Sequence, residues 1–125
     1  MRIINLIGVS SYLYAYLKYK SNIGFIVFIN GLLFHCNENN KFLLYYDSIC
    51  NLIFSSYTTY RFKKILPVTL SCYSIFLINN YLFKKKKITR VNSDFIHVFG
   101  VQYLGLINLI TYLELELALK LELER

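Results

Sequence analysis

Two histidines and one isolated acid have the plainest chemical potential in this chain. His35 lies in the segment LLFHC, His97 in SDFIHVFG, and Asp47 is the one charged residue between Lys41 and Arg61. If the apolar stretches carrying them are antiparallel helices with short connections, all three lie toward one end of the bundle. Imidazole and carboxylate at a shared depth would suit a zinc ion with an open position for activated water. The same residues equally describe histidines at a helix interface and a buried, hydrogen-bonded acid. No Ser-His-Asp arrangement, phosphate-binding loop or paired Cys/His metal spacing occurs. Cys36, Cys50 and Cys72 lack CxxC spacing and lie in or beside apolar runs, so they read as small apolar fillers.

A second group centres on Tyr103-Leu104-Gly105, in the middle of an apolar run. It pairs a hydroxyl with a residue lacking Cβ. Glycine weakens a helix locally, and helix irregularities, including π-bulges, cluster at functional sites. Gly100 and Gly105 would also permit close helix packing. Asn5, Asn30, Asn51, Asn79, Asn80 and Asn108 interrupt apolar runs. A carboxamide is costly against lipid, so these are expected to face other helices or a polar cavity. Glu114 and Glu116 follow the last run and mark an interface.

The elements that must position these residues follow from the charge pattern. The chain has 125 residues, of which 56% are hydrophobic and 17% charged, and the charges are clustered. Charge-free windows of 15 to 19 residues lie between Arg2 and Lys18, Lys20 and Glu38, Lys64 and Lys84, and Asp94 and Glu114. About 20 residues are needed to span a ~30 Å hydrocarbon layer as a helix. The pattern predicts one all-α membrane domain with helices over 3–19, 22–37, 42–60, 65–83 and 95–113 and a Leu/Glu-rich tail over 114–125. Tyrosines gather at run ends, as at Tyr16, Tyr19, Tyr57 and Tyr60, where a ring can be buried and its hydroxyl wet. Pro67 falls in the first turn of the fourth helix, where its missing N–H is harmless.

The net charge of +7 includes the cluster Lys84–Lys87 between two apolar runs. That placement suits anionic lipid or a partner subunit rather than nucleic acid. Basic residues divide evenly between the two expected faces, so orientation stays open. Residues 3–9 are apolar with no small-residue cleavage site after them, and no cleavable signal is expected. Phe, Tyr, Met, Ile, Asn and Lys make up nearly half the chain, the bias of an AT-rich coding sequence in an organelle genome or a large DNA virus. In the tail, LELELALKLELER, leucines alternate as in a strand, whereas Leu and Glu individually favour helix. Helical continuation is expected for its first turns and the remainder stays open.

The segment KKILPVTLSCYSIFLINN, a basic loop and DFIHVFGVQYLGLINL together resemble the first helices of chain 6, the J-type membrane subunit of respiratory NADH:quinone oxidoreductase. The likeness covers roughly residues 42–113. Pro67 and Val68 match the turn that opens the family's second helix, and Tyr103, Gly105 and Ile107 match its third-helix pattern. Asn80, 13 residues after the proline, also matches. Leu66 and Leu106 depart from the family's Asn and Ala, the Lys84–Lys87 loop is longer, and two helices precede the matching region. The family's fourth and fifth helices have no counterpart here.

The resemblance implies a small core subunit of a respiratory membrane arm, non-catalytic and without a cofactor of its own, in the mitochondrial inner membrane. It implies that Tyr103 and Gly105 lie where a helix alternates between regular and bulged forms and gates a proton path. Contact with a neighbouring hydrophobic subunit is expected at those two residues. A looser likeness links LLFHC, YYDSICN and SDFIHVFG to the alkaline ceramidase and adiponectin-receptor superfamily of membrane zinc hydrolases. It implies His35, Asp47 and His97 as metal ligands, but Ser93 stands where a ligand histidine belongs and Gly31 where a serine does. A purely structural membrane protein, either an accessory subunit or a viral component, is the third alternative.

Overall fold

A computed structural model describes residues 2–125, all of which lie in helices, turns and short connections, with no strand among them. Local chemistry explains most boundaries. Helices α1 (Ile3–Ser10) and α2 (Tyr12–Tyr19) replace the single first helix expected. At their junction the Ser10 and Ser11 hydroxyls bond back to the Leu6 and Gly8 carbonyls, competing with the regular helix ladder. Lys20 ends α2 in the left-handed region at φ 55°. Ser21 then caps α3 (Asn22–Cys36) by accepting from the Gly24 amide at 3.1 Å. Asn40 caps α4 (Lys41–Arg61) in the same way through Leu43 at 3.2 Å.

A 3-10 turn over Lys63–Ile65 leads into α5 (Leu66–Lys84), with Pro67 in the first turn as expected. Thr89 caps α6 (Arg90–His97), which passes through a π-helical segment (Val98–Tyr103) into α7 (Leu104–Leu123). Together these last three form one helix of 34 residues, roughly 50 Å long at 1.5 Å per residue. It begins before and ends well after the expected 95–113. The tail extends it because Leu and Glu carry strong helix propensity and the nucleus is already formed. Alternation alone could not make a strand without a partner strand.

The segments run antiparallel, and polar contacts close both ends. At one end Arg2 pairs with Glu38 at 2.9 Å and with Asp94. At the other, Arg61 pairs with Glu116 at 3.2 Å and the Tyr19 hydroxyl donates to Glu114 at 2.9 Å. A small apolar cluster of Tyr12, Ala15, Ile65, Leu109 and Tyr112 ties α2, α7 and the 3-10 turn together.

Two helices, Lys63–Lys84 and Arg90–Leu123, are long and apolar enough to cross a membrane, where five were expected. The difference has a local cause in each case. The first expected span is divided at Ser11, and α3 has only 15 residues. α4 is 21 residues long but is diluted by Asp47, Asn51 and its Ser/Thr residues.

Gly24 sets the closest crossing of α2 and α3. A Cβ there would lie 2.9 Å from Ala15 Cβ, 3.1 Å from the Tyr12 carbonyl oxygen and 3.3 Å from the Tyr16 amide nitrogen. Backbone cannot swing aside, so Gly24→Ala is expected to cost about 1–3 kcal/mol, with leucine at this position costing more. Thermal unfolding followed by circular dichroism in detergent micelles measures this, and an unchanged midpoint would contradict the tight crossing.

Candidate functional site

A wide turn runs over Val98–Tyr103, with Tyr103 as its last residue, two residues before Gly105. Its inward residues explain why the helix widens. Asp94, Val98 and Gln102 are all buried at a spacing of four. On a regular α-helix each such step drifts about 40° from one face. A π turn, with its i→i+5 bonds, is wider and keeps the three residues aligned. Beyond it Asn108, Leu109 and Tyr112 resume the inward face at ordinary spacing.

Gln102 is held from three sides. The Tyr12 hydroxyl donates to its main-chain carbonyl at 2.9 Å, and a Cβ on Gly8 would run into its carboxamide. Its Nε2 lies 3.3 Å from His35 Nε2 and donates to it when that ring nitrogen is the unprotonated one. Gly105 faces Tyr12 of its own chain, since a Cβ there would sit 2.5 Å from the Tyr12 hydroxyl oxygen, and Gly100 packs on Ile75. On its inward side the space beside Gly105 is filled by Tyr12 of the same chain, and Gly105 itself is half-buried. Tyr103 is half-buried, and its ring meets Phe99 edge-on at 5.4 Å.

The three residues singled out for metal chemistry line one cavity of about 550 Å³, between α4 and the rest of the bundle. His35 and His97 do approach, with ring centroids 6.1 Å apart. Asp47 instead accepts from Asn51 on its own helix at 3.3 Å. Among the described residues no three His, Cys, Asp or Glu side chains are grouped to hold a metal ion. The zinc reading is corrected accordingly: the topology brings the three to one cavity but not to one coordination sphere. Further polar groups enter the cavity wall, among them Asn108, which donates to Thr69 Oγ1 at 2.8 Å.

The buried amides largely follow expectation. Asn5, Asn30, Asn79 and Asn108 are buried and Asn51 lines the cavity. Asn80 is the exception and faces outward. Its neighbour Asn79 turns inward and donates to the Ser93 carbonyl at 3.0 Å. Glu114 is exposed on α7, Pro67 is exposed, and Val68 is half-buried. Cys36, Cys50 and Cys72 are free thiols.

Sequence reading missed Gly8, Tyr12 and Gln102. A glutamine inside an apolar run was a signal of the same kind as the asparagines. It also missed the cluster of Arg2, Glu38 and Asp94 beneath His35, whose Nδ1 lies 3.6 Å from Glu38. Burial pushes the Glu38 carboxyl upward, but the hydrogen bond and charge of Arg2, with His35 nearby, outweigh it and hold the group below its ordinary value. A lowered folded value means the stabilisation is complete above the unfolded carboxylate value and is lost as pH falls through the folded one. Acidification from neutrality should thus lower the unfolding midpoint more steeply in the wild-type chain than in Glu38→Gln. Parallel pH profiles would remove Glu38 from this role.

These features define a class: a helical bundle with polar groups inside, an apolar exterior and two helices of membrane length. No protein-family model, curated protein or solved structure matches the chain. A functional reading therefore rests on the site.

Proposed function

We propose that this chain is a small membrane subunit of a respiratory NADH:quinone oxidoreductase, working in proton translocation and assembly without catalysing a reaction itself. The observation that carries the reading is the π-helical segment Val98–Tyr103, inside a helix of membrane length and beside the Tyr103/Gly105 pair of the family resemblance. Conversion of this segment to regular α-helix would remove one residue from the wide turn and rotate the following helix by about 100°. Such a rotation carries Asn108 off Thr69 and changes the polar wall of the cavity. A helix with two discrete forms beside a polar-walled cavity has the parts a gate needs.

Membrane embedding is supported by the distribution of polarity. Among the described residues, buried polar side chains outnumber buried hydrophobic ones, while Phe42, Tyr45, Ile49, Ile53, Leu70 and Ile78 are exposed. Lipid tails solvate such an exterior and leave carboxamides to seek one another. In this reading α5 and the α6–α7 helix span the bilayer, and α1 to α4 complete the multi-pass bundle beside them. Exposed Lys84–Lys87 meet anionic lipid headgroups, and neighbouring hydrophobic subunits cover the outer apolar faces. The mitochondrial inner membrane is the proposed location.

Affinity purification of the tagged full chain from gently solubilised mitochondrial membranes tests the assignment. Co-elution of other hydrophobic subunits with NADH:quinone reductase activity is expected. Recovery as a stable lone monomer would overturn it.

A further inference from the structure

We propose that Tyr12, with Gly8 and His35, is a clamp that holds Gln102 and so keeps the helix in its π-helical form. The inference deepens the gating reading above and rests on it for its functional meaning. Gly8 and Tyr12 lie one turn apart, at i and i+4, and both address the same residue. Gly8 leaves room for the Gln102 carboxamide, and Tyr12 supplies a donor to the Gln102 carbonyl at 2.9 Å. His35 meets the carboxamide nitrogen at 3.3 Å.

A buried carbonyl in an apolar surround is costly without a donor, and the bonding pattern of a helix shifts where it widens. A donor from another helix favours the form that presents this carbonyl to it. Gly105 makes the arrangement possible, because a side chain there would occupy the place of the Tyr12 hydroxyl, 2.5 Å from its Cβ position. Gly8, Tyr12 and His35 all precede residue 42, where the family resemblance begins. The N-terminal helices thus act as a latch on the segment that the later helices supply. Behind His35, Glu38 and Arg2 extend the same chain of contacts to the end of the bundle. Tyr12, Gly8 and His35 are positioning residues.

Gln102 is the only glutamine in the sequence, so residue-selective labelling reports on this site alone. The full chain, made with ¹³C,¹⁵N-glutamine and placed in lipid nanodiscs, is compared with Tyr12→Phe, Gly105→Ala and His35→Leu. Loss of the Tyr12 bond is expected to move the Gln102 carbonyl ¹³C resonance upfield. It should also raise amide exchange over residues 104–108 about tenfold, the worth of one hydrogen bond. Gly105→Ala retains the phenol but displaces it, and should reproduce both effects even if Tyr12→Phe folds poorly. His35→Leu should move the carboxamide ¹⁵N resonance instead. The exposed Tyr14→Phe serves as the control and should move none of these signals. A Gln102 carbonyl unmoved in Tyr12→Phe and Gly105→Ala overturns the clamp and leaves the subunit assignment standing. Failure of co-purification does the reverse.

Discussion

Replacing Leu70 by arginine is expected to destabilise the chain in a bilayer by about 2.5–3.5 kcal/mol, the insertion cost of a charge near a span centre. Leu70 lies on α5, inside the Lys63–Lys84 helix, and is 54% exposed. The same substitution on a water-facing surface is ordinarily worth less than about 0.5 kcal/mol. Exposure alone thus predicts almost nothing, and exposure to lipid predicts a large loss. Insertion efficiency scored by glycosylation mapping, together with thermal unfolding in nanodiscs, would read the difference. An arginine tolerated at this position would remove the bilayer from the account, and the gating proposal with it.

Arg2→Met should be the most damaging change at its end of the bundle. Arg2 holds Glu38 at 2.9 Å and Asp94 as well, with side-chain exposures of 27%, 19% and 10% respectively. Removing the guanidinium leaves two largely buried carboxylates without the partner they share, at a cost of about 2–4 kcal/mol. The triple variant with Glu38→Gln and Asp94→Asn should recover much of that loss, because the unpaired charges leave with their partner. Unfolding midpoints of the single and triple variants decide the matter. Equal midpoints for both would show that Arg2 acts through packing and not through charge.

The two expectations concern different forces but share a cause. This bundle buries polar groups and presents apolar ones, so its interior is held by directional contacts more than by apolar area. Tyr12 to the Gln102 carbonyl, Asn108 to Thr69 and Asn79 to the Ser93 carbonyl each join two different helices. Such contacts specify helix rotation as well as helix proximity. A gate that works by rotating one helix would act directly on them.

Much of the fold could be read from local chemistry. Helical class, short antiparallel connections, Pro67 in a first turn and the burial of Asn5, Asn30, Asn79 and Asn108 follow from propensity, charge spacing and the cost of a carboxamide against apolar surroundings. The π turn over Val98–Tyr103 ends at Tyr103, where the sequence marked only a glycine-loosened stretch and gave no turn type or bounds. What only the tertiary structure decided was rotational phase and the choice of partner. Successive residues on a helix point about 100° apart, so Asn79 and Asn80 look equivalent in sequence while one faces the bundle and the other away. The same long-range packing brought Tyr12 to Gly105, joined Arg2 to Glu38 and Asp94, and left Asp47 bonded to Asn51 rather than beside the two histidines. Local propensity determines that a residue is helical. Which neighbour it meets depends on how every other helix is turned.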